Sequence, residues 1–509
     1  MADNPRGESR VSGFPALTDL HRRLRGGTLT STALTRLCLD RIAAVNPVLS
    51  AVLAVDATAL EQAAEADRRY AAGAPLGPLD GIPVLIKDSI DTAGLASTAG
   101  SRLLATAPPR QDAAVVTRLR RAGAVVLGKT NLTEWSSFRT TQGCEGWSAV
   151  GGQTVNPYSP QRTASGSSSG SAVAVATGMA PLALGAETDG SIVSPAGVCG
   201  VVGLKPAPGT LPLDGVVPVS DTEDSVGLLA GRVADAALAL DVLTSGAPAP
   251  GAPASGAPAS GAPTSGVPLA SGAPPAPGSD PALAAHGPLG GAGRRLGLWR
   301  VPRMPAQVGA VLDAAAGSLR AAGFTVVDVE IDIDREILVD GLRAMYAEFT
   351  PSLEKYLAGR DGVPRTLAEI VEANRVDPVE LSLFGQDLFE TVLGLADADR
   401  AKAEGGRARA VERAVDLLDG TLRRYGVEAV VAPTNEPAWL VDHQLGDPYS
   451  PGSSTLPALA RRPNVTVPAA HGGLPVGISL FGPAEEGSLL RLALEAEHAL
   501  ARQPHALLV

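Results

Sequence analysis

The sequence is poor in cysteine, histidine, lysine and long apolar runs, and each shortage removes a class of protein. Its three cysteines, Cys38, Cys144 and Cys199, are scattered and odd in number. They form no CxxC pair, which argues against a disulfide framework and against a zinc site. The opening MADNPRGESR lacks the apolar core of a secretory signal. The longest apolar stretch, residues 172–186, is broken by Gly178 and Pro181 and is too short to cross a bilayer. A formal net charge of −11 disfavours partners that are themselves anionic, so neither nucleic acid nor an acidic membrane surface is expected. These absences together predict a cytoplasmic protein.

Lysine is the most informative shortage. Of 42 basic side chains only five are lysines: Lys87, Lys129, Lys205, Lys355 and Lys402. An arginine-rich composition explains the ratio but not why these positions keep lysine. Arginine holds its proton in any protein, whereas a desolvated lysine can release it. A lysine in a buried, glycine-rich setting is therefore a candidate base. Lys87, in DGIPVLIKDSID, fits that description.

The chain alternates helical and strand patterns, which predicts an α/β fold. Residues 15–75 read as helices, with Ser31 or Thr32 placed to cap one of them. GIPVLIK and AVVLG read as strands, and QDAAVVTRLRRAG as a helix between them. SAVAVATGMAPLAL reads as a buried small-residue helix and GAETDGSIVSPAG as a turn-rich segment. A glycine/alanine/proline/serine linker at about 245–293 interrupts the pattern. After it come the strands RRLGLW and FTVVDVEI around a helix. A mostly helical region follows over 336–425. The strands VEAVVAPT and GLPVGISLFG and a closing helix complete the chain.

Three motifs carry candidate chemistry. GAVVLGKT, residues 123–130, matches a phosphate-binding loop literally. Its variable positions are Ala124, Val125, Val126 and Leu127, which favour a strand rather than a cradle of inward amides. GSSSG, residues 166–170, matches a nucleophile elbow with Ser168 at its centre. An elbow needs a strand directly before it, and NPYSPQRTAS is not one. A Ser-His-Asp triad would also need a histidine. His21, His498 and His505 lie near the termini and His286 lies in the linker, leaving His443 and His471. The third motif is distributed. Lys87 could serve as base, Ser167 as proton relay and Ser191 as nucleophile, since serine is inert without an adjacent base. The backbone amides of Thr188, Asp189, Gly190 and Ser191 could form an oxyanion hole.

Several stretches together resemble the amidase signature family of Ser–Ser–Lys hydrolases. They are GPLDGIPVLIKDSIDTAGLASTAGS (78–101), GAVVLGKTNLTEWSSFR (123–139), GGQTVNPYSPQRTASGSSSGSAVAVA (151–176) and ETDGSIVSPAGVCGVVGLKP (187–206), with VVAPT, RPNVTVP and GLPVGISLFG near the end. The resemblance runs almost end to end and leaves out only the linker. It implies one amidase signature domain over 1–509, with a large mixed central sheet covered on both sides by helices. It also implies that Lys87 is the base, Ser167 the bridging serine after a cis peptide at Gly166, and Ser191 the nucleophile, with no metal and no cofactor. ETDGSIVSPA is most similar to the peptide amidase branch. Asp189 and Val193 stand there where the wider family has glycine and arginine, and Ser165 stands where glycine is usual. The implied substrate is a small-molecule or peptide amide, handled by a monomer or homodimer. Other linear amides, or a role within an amidotransferase-type complex, are the alternatives. Trp135, Phe138 and Trp439 are candidate pocket walls, with core packing the simpler assignment. Asp88 and Asp91 are expected to hold the turn after Lys87.

Overall fold

The computed structural model describes residues 13–245, 291–448, 450–471 and 473–500, with only the backbone given for Ala470 and His471. Most of the linker at 245–293 therefore lies outside the described residues. The chain begins with α1 (Leu17–Arg25), α2 (Ser31–Leu49), β1 (Val52–Val55) and α3 (Ala59–Ala71). Leu17, Leu20 and Leu24 recur at three- and four-residue spacing and form the one buried stripe of α1. The cap of α2 is Thr30, one residue before the expected position: its hydroxyl accepts the Ala33 amide at 3.1 Å. Ser31 and Thr32 are committed elsewhere, with their amides on the Asp67 carboxylate at 2.6 and 3.1 Å.

The chain continues through β2 (Pro83–Lys87), α4 (Ala114–Arg121), β3 (Val125–Thr130) and the short hairpin β4 (Trp147–Ser148) and β5 (Gly152–Gln153). Then come α5 (Ser169–Ala176), β6 (Leu182–Glu187), α6 (Val193–Cys199), β7 (Val202–Lys205), β8 (Ser225–Ala230) and α7 (Val233–Thr244). After the linker follow β9 (Arg295–Trp299), α8 (Ala306–Ala321) and β10 (Thr325–Val329). Four helices come next: α9 (Arg335–Ala358), α10 (Leu367–Val376), α11 (Asp387–Leu393) and α12 (Asp397–Tyr425). The chain ends with β11 (Ala429–Pro433), α13 (Thr455–Leu459), β12 (Asn464–His471), β13 (Leu474–Phe481) and α14 (Glu486–Ala499).

Eleven strands form one mixed sheet in the order β1-β3-β2-β6-β8-β7-β12-β13-β11-β9-β10. β3, β2 and β6 are mutually parallel, as are β11, β9 and β10, and antiparallel strands join the two groups. Alternate residues of one strand serve opposite faces. Ala429 and Val431 pack with Val311, Leu312 and Leu319 of α8 and Leu489 and Leu492 of α14. Val430 and Ala432 pack on the other face with Ile337 of α9, Ala414 and Leu418 of α12, and Leu456 of α13. Helices thus cover both faces, and each fully buried leucine contributes roughly 1.5–3 kcal/mol of transfer free energy.

Two segments differ from the sequence reading. The helix expected through residue 184 stops at Ala176, and Leu182–Glu187 is strand β6. Gly178, at φ +72°, and Pro181 end the helix, and nearly every residue of β6 is buried. The turn-rich segment after it contains α6, whose Pro195 sits in the first turn, where a missing amide costs no hydrogen bond. GAVVLGKT is strand β3, buried at all six positions of Val125–Thr130 between β1 and β2, so it offers no phosphate loop.

The start of α5 is pressed directly against backbone. A Cβ on Gly170 would lie 2.6 Å from both the amide nitrogen and the carbonyl oxygen of Asn131 and would also meet Ala51 O. Gly170→Ala should therefore cost roughly 1–3 kcal/mol through overpacking. A lower denaturation midpoint at unchanged m-value would show it, whereas wild-type stability would mean that this contact is slack.

Candidate active site

Parallel pairing sets the C-terminal ends of β2 and β6 side by side. β2 ends on Lys87, and the chain leaves β6 into the turn Thr188–Ser191. The loop over 165–168 leads into α5 across the same edge, where the Ser168 amide donates to Ser191 O at 3.0 Å. Open α/β sheets usually bind their ligands beyond the carboxyl ends of strands like these.

Lys87 is fully buried. Its Nζ donates to Ser167 Oγ at 2.7 Å and to Ala186 O at 3.0 Å. Burial disfavours the ammonium and brings the amine down to about 7, against the opposing pull of Glu145, Asp224 and Glu187. Ser167 is buried, follows a cis Gly166–Ser167 peptide, and accepts the Thr133 amide on its carbonyl at 3.1 Å. Ser191 is half-buried, and its hydroxyl makes no hydrogen bond among the described residues. The structure thus joins Lys87 to Ser167 directly, and places Ser191 beside them without closing a bond to Ser167. Catalytic hydrogen bonds are often long in unliganded enzymes.

The turn after β6 has four consecutive amides, those of Thr188, Asp189, Gly190 and Ser191, with no acceptor among the described residues. Gly190, at φ +84°, allows the chain to fold back here. Side chains pin both flanks. Thr188 Oγ1 donates to Asp224 at 2.5 Å, and the Asp189 carboxylate accepts Ser454 Oγ at 2.5 Å and Thr455 Oγ1 at 2.7 Å. The next two amides, of Ile192 and Val193, are taken by Glu187 Oε2 at 2.6 and 2.9 Å. Ser165 keeps a left-handed φ of +56°, and its hydroxyl meets Ser194 Oγ at 2.7 Å. Ser194 also accepts Asn435 Nδ2 at 2.7 Å, which ties the loop to α6.

The competing assignments fare differently. Ser168 has no exposed surface, and its hydroxyl donates to Ala186 O at 3.2 Å, so it presents nothing to a substrate. His443 is exposed, its ring bonds to Gln153 Oε1 at 3.0 Å, and it makes no hydrogen bond to Ser167, Ser168 or Ser191 among the described residues. The His471 side chain lies outside the described residues. Lys129 is buried but sits 3.6 Å from Asp88, and Lys205 donates to the carbonyls of Pro206 and Arg462 at 3.3 and 3.4 Å. Asp88 accepts the Thr98 amide at 3.0 Å, and Asp91 accepts Tyr356 Oη at 2.8 Å and Arg360 at 3.1 Å, so both brace the segment after Lys87. Among the described residues no group of histidine, cysteine and carboxylate side chains has the arrangement of a metal site.

The sequence profile described as Amidase matches residues 33–260. A probable amidase from Arabidopsis thaliana is 35% identical, with 94% of this chain and 88% of the relative aligned. The chain belongs to the amidase family. It is a hydrolase acting on carbon–nitrogen bonds of amides. Crystallographic relatives extend the likeness to the amidase signature fold. The native peptide amidase from Stenotrophomonas maltophilia superposes with a TM-score of 0.84 at 37% identity, covering 98% of this amidase and 99% of that chain. A glutamyl-tRNA(Gln) amidotransferase subunit from Chloroflexus aurantiacus is 33% identical over 94% of this chain and 96% of its own.

Two of the aromatic candidates in this amidase are core residues. Trp135 packs edge-on to Phe389 at 5.6 Å, and Phe138 lies 4.2 Å from the Phe349 ring centre. Trp439 is half-buried, and its carbonyl accepts the Thr163 amide at 2.9 Å. The walls of the cavity beside the Ser167 loop come instead from residues that no local motif marks, including Glu145, Trp147, Phe384 and Asp447. They lie on separate loops and come together only through the fold. No membrane-spanning helix occurs among the described residues.

Proposed function

We propose that this amidase hydrolyses a primary carboxamide, the C-terminal amide of a peptide, through an acyl-enzyme on Ser191 with release of ammonia. The observation that carries the reading is the 2.7 Å hydrogen bond from Lys87 Nζ to Ser167 Oγ between two fully buried side chains. A neutral lysine there can accept the Ser167 proton while Ser167 accepts that of Ser191. Ser191 Oγ then bonds to the amide carbon. The carbonyl oxygen, now negative, is met by the free amides of Thr188–Ser191. Collapse breaks the C–N bond as the relay returns a proton to the departing nitrogen. A water molecule repeats the sequence on the ester and frees the acid. Every step uses side chains and backbone of this chain alone, and activity is expected to survive chelation.

The choice of a peptide amide is supported by ETDGSIVSPA and by the similarity to the Stenotrophomonas enzyme. Ammonia release should be measured on peptide amides, aryl amides and short aliphatic amides with the purified chain alone. Turnover greatest on peptide amides supports the reading, and turnover confined to aryl or aliphatic amides overturns the substrate class. The similarity to amidotransferase subunits supports a second reading, membership of a larger assembly. It predicts amide hydrolysis only when partner chains are added.

The pH dependence follows from Lys87. Below about 7 the amine is protonated and cannot act as base, and above it the amine is free. kcat/KM should therefore rise from acid pH through about 7 and level off on the alkaline side. A rate that is flat from pH 5 to 9, or that falls across this range, would remove Lys87 from the role of base.

A further inference from the structure

A cavity of about 360 Å³ opens beside the loop that carries Ser167. Thr133 and Glu145 belong to its wall and touch that loop from behind. The Thr133 amide holds the Ser167 carbonyl at 3.1 Å, and a Cβ on Gly166 would collide with Glu145 Oε2 and Thr133 Oγ1. The cavity thus abuts the Gly166–Ser167 peptide of the candidate site.

Its charge is unbalanced. Three carboxylates line it, Glu134, Glu145 and Asp447, against one cation, Arg139. Arg139 is already committed, with NH1 2.5 Å from Glu134 and 3.3 Å from Glu380 behind the wall. Glu145 receives only hydroxyls, from Thr133 at 2.5 Å and Ser137 at 2.8 Å. Asp447 accepts the Glu145 amide at 2.8 Å, so the two residues are neighbours. Lys87 is the cation that faces Glu145 from the other side of the loop, and it must be neutral to act as base. Burial holds both carboxyls above their ordinary range, and the charge of Asp447 raises Glu145 further, the direction expected when a counter-charge is missing. The imidazole of His443 draws Asp447 the other way, but less than burial raises it.

Two further features describe what would fit. Trp147 and Phe384, edge to face at 5.2 Å, supply an apolar flank. Arg139, on a side chain only 2% exposed, carries an Nε with no acceptor among the described residues. A buried donor of this kind is costly unless a ligand supplies an acceptor such as a carbonyl.

Resting on the reading above, we propose that this cavity selects peptide amides bearing an ammonium group, held between Glu145 and Asp447. The α-ammonium of a short peptide amide and the side-chain ammonium of a lysyl peptide amide share this chemistry. The test compares kcat and KM within matched pairs. Alanyl-leucinamide against its N-acetyl form isolates the α-ammonium. N-acetyl-lysyl-leucinamide against the norleucyl analogue isolates the side chain. The cationic member of at least one pair should be preferred about tenfold or more, chiefly through KM, as one hydrogen bond to a charged group implies. That preference should fall toward parity in both Asp447→Asn and Glu145→Gln. In the unmutated enzyme, added salt should raise KM for the cationic member and not for its neutral twin. Parity in both pairs, or a preference that persists in both variants, overturns the proposal. Hydrolysis of the neutral amides in that case leaves the amidase reading intact, whereas no ammonia from any of the four peptides overturns the substrate reading itself.

Discussion

Lys87→Arg is expected to fold and to lose nearly all activity. Arginine has similar length and keeps a charge, but it cannot accept a proton. The Ser167 hydroxyl, bonded to Lys87 Nζ at 2.7 Å, then has no base to take its proton. Loss of a general base typically costs 10²–10⁴-fold. A permanent charge in so closed a site also strains folding, so Lys87→Met is the companion variant. It is close in volume, neutral, and equally unable to act as base. Both should show kcat depressed by at least about 10²-fold with KM little changed, while a melting curve confirms a folded protein. His443→Ala should be mild, because that ring bonds only Gln153 in an exposed position. Near-normal turnover in folded Lys87→Met, with His443→Ala inactive, would restore a histidine-based triad.

The second large effect separates two serines. Ser191→Ala removes the proposed nucleophile, and activity should fall to background, on the order of 10⁶-fold for a nucleophile that works as a unit with its base. Ser168→Ala should retain a substantial fraction. That hydroxyl has no exposed surface and donates to Ala186 O at 3.2 Å, so its loss costs about 1 kcal/mol of local hydrogen bonding rather than a chemical step. Steady-state ammonia release at saturating substrate distinguishes the two. Activity in Ser191→Ala, or its absence in a folded Ser168→Ala, would contradict the assignment.

Some of this is legible in the sequence because the signal is local. Lys87 after a short apolar strand, and Ser167 and Ser191 in glycine/serine turns, are candidates from local sequence, and their roles come from the resemblance of these stretches to the amidase signature family. The strand character of GAVVLGKT is legible for the same reason: Val125 and Val126 outweigh a phosphate-loop spacing. Other features carry no local signal. LALGAE, residues 182–187, is an interior strand buried almost throughout, so it lacks the alternation that marks a strand; its first three residues read as helix and its last three as turn. Thr30 is one of several adjacent hydroxyl residues, and only the capture of Ser31 and Thr32 by Asp67, on a different helix, shows which one caps α2. The cavity beside Ser167 needs Glu145, Phe384 and Asp447 brought from distant loops. No spacing rule links them, and Glu145 in GCEGW reads as an ordinary charged residue until the fold sets it against Gly166. The amides of Thr188–Ser191 are candidates from the sequence, but that Glu187 takes the following two and leaves these four free is visible only in the fold.

The central claim is that Ser191, activated through Ser167 by Lys87, carries the acyl group. Trapping with a serine-reactive phosphonate, followed by digestion and mass mapping of the adduct, tests it most directly. The expected result is one adduct, on Ser191, absent from Ser191→Ala and formed far more slowly in Lys87→Met. An adduct on Ser167 or Ser168, or labelling of Ser191 at an unchanged rate in folded Lys87→Met, would contradict it.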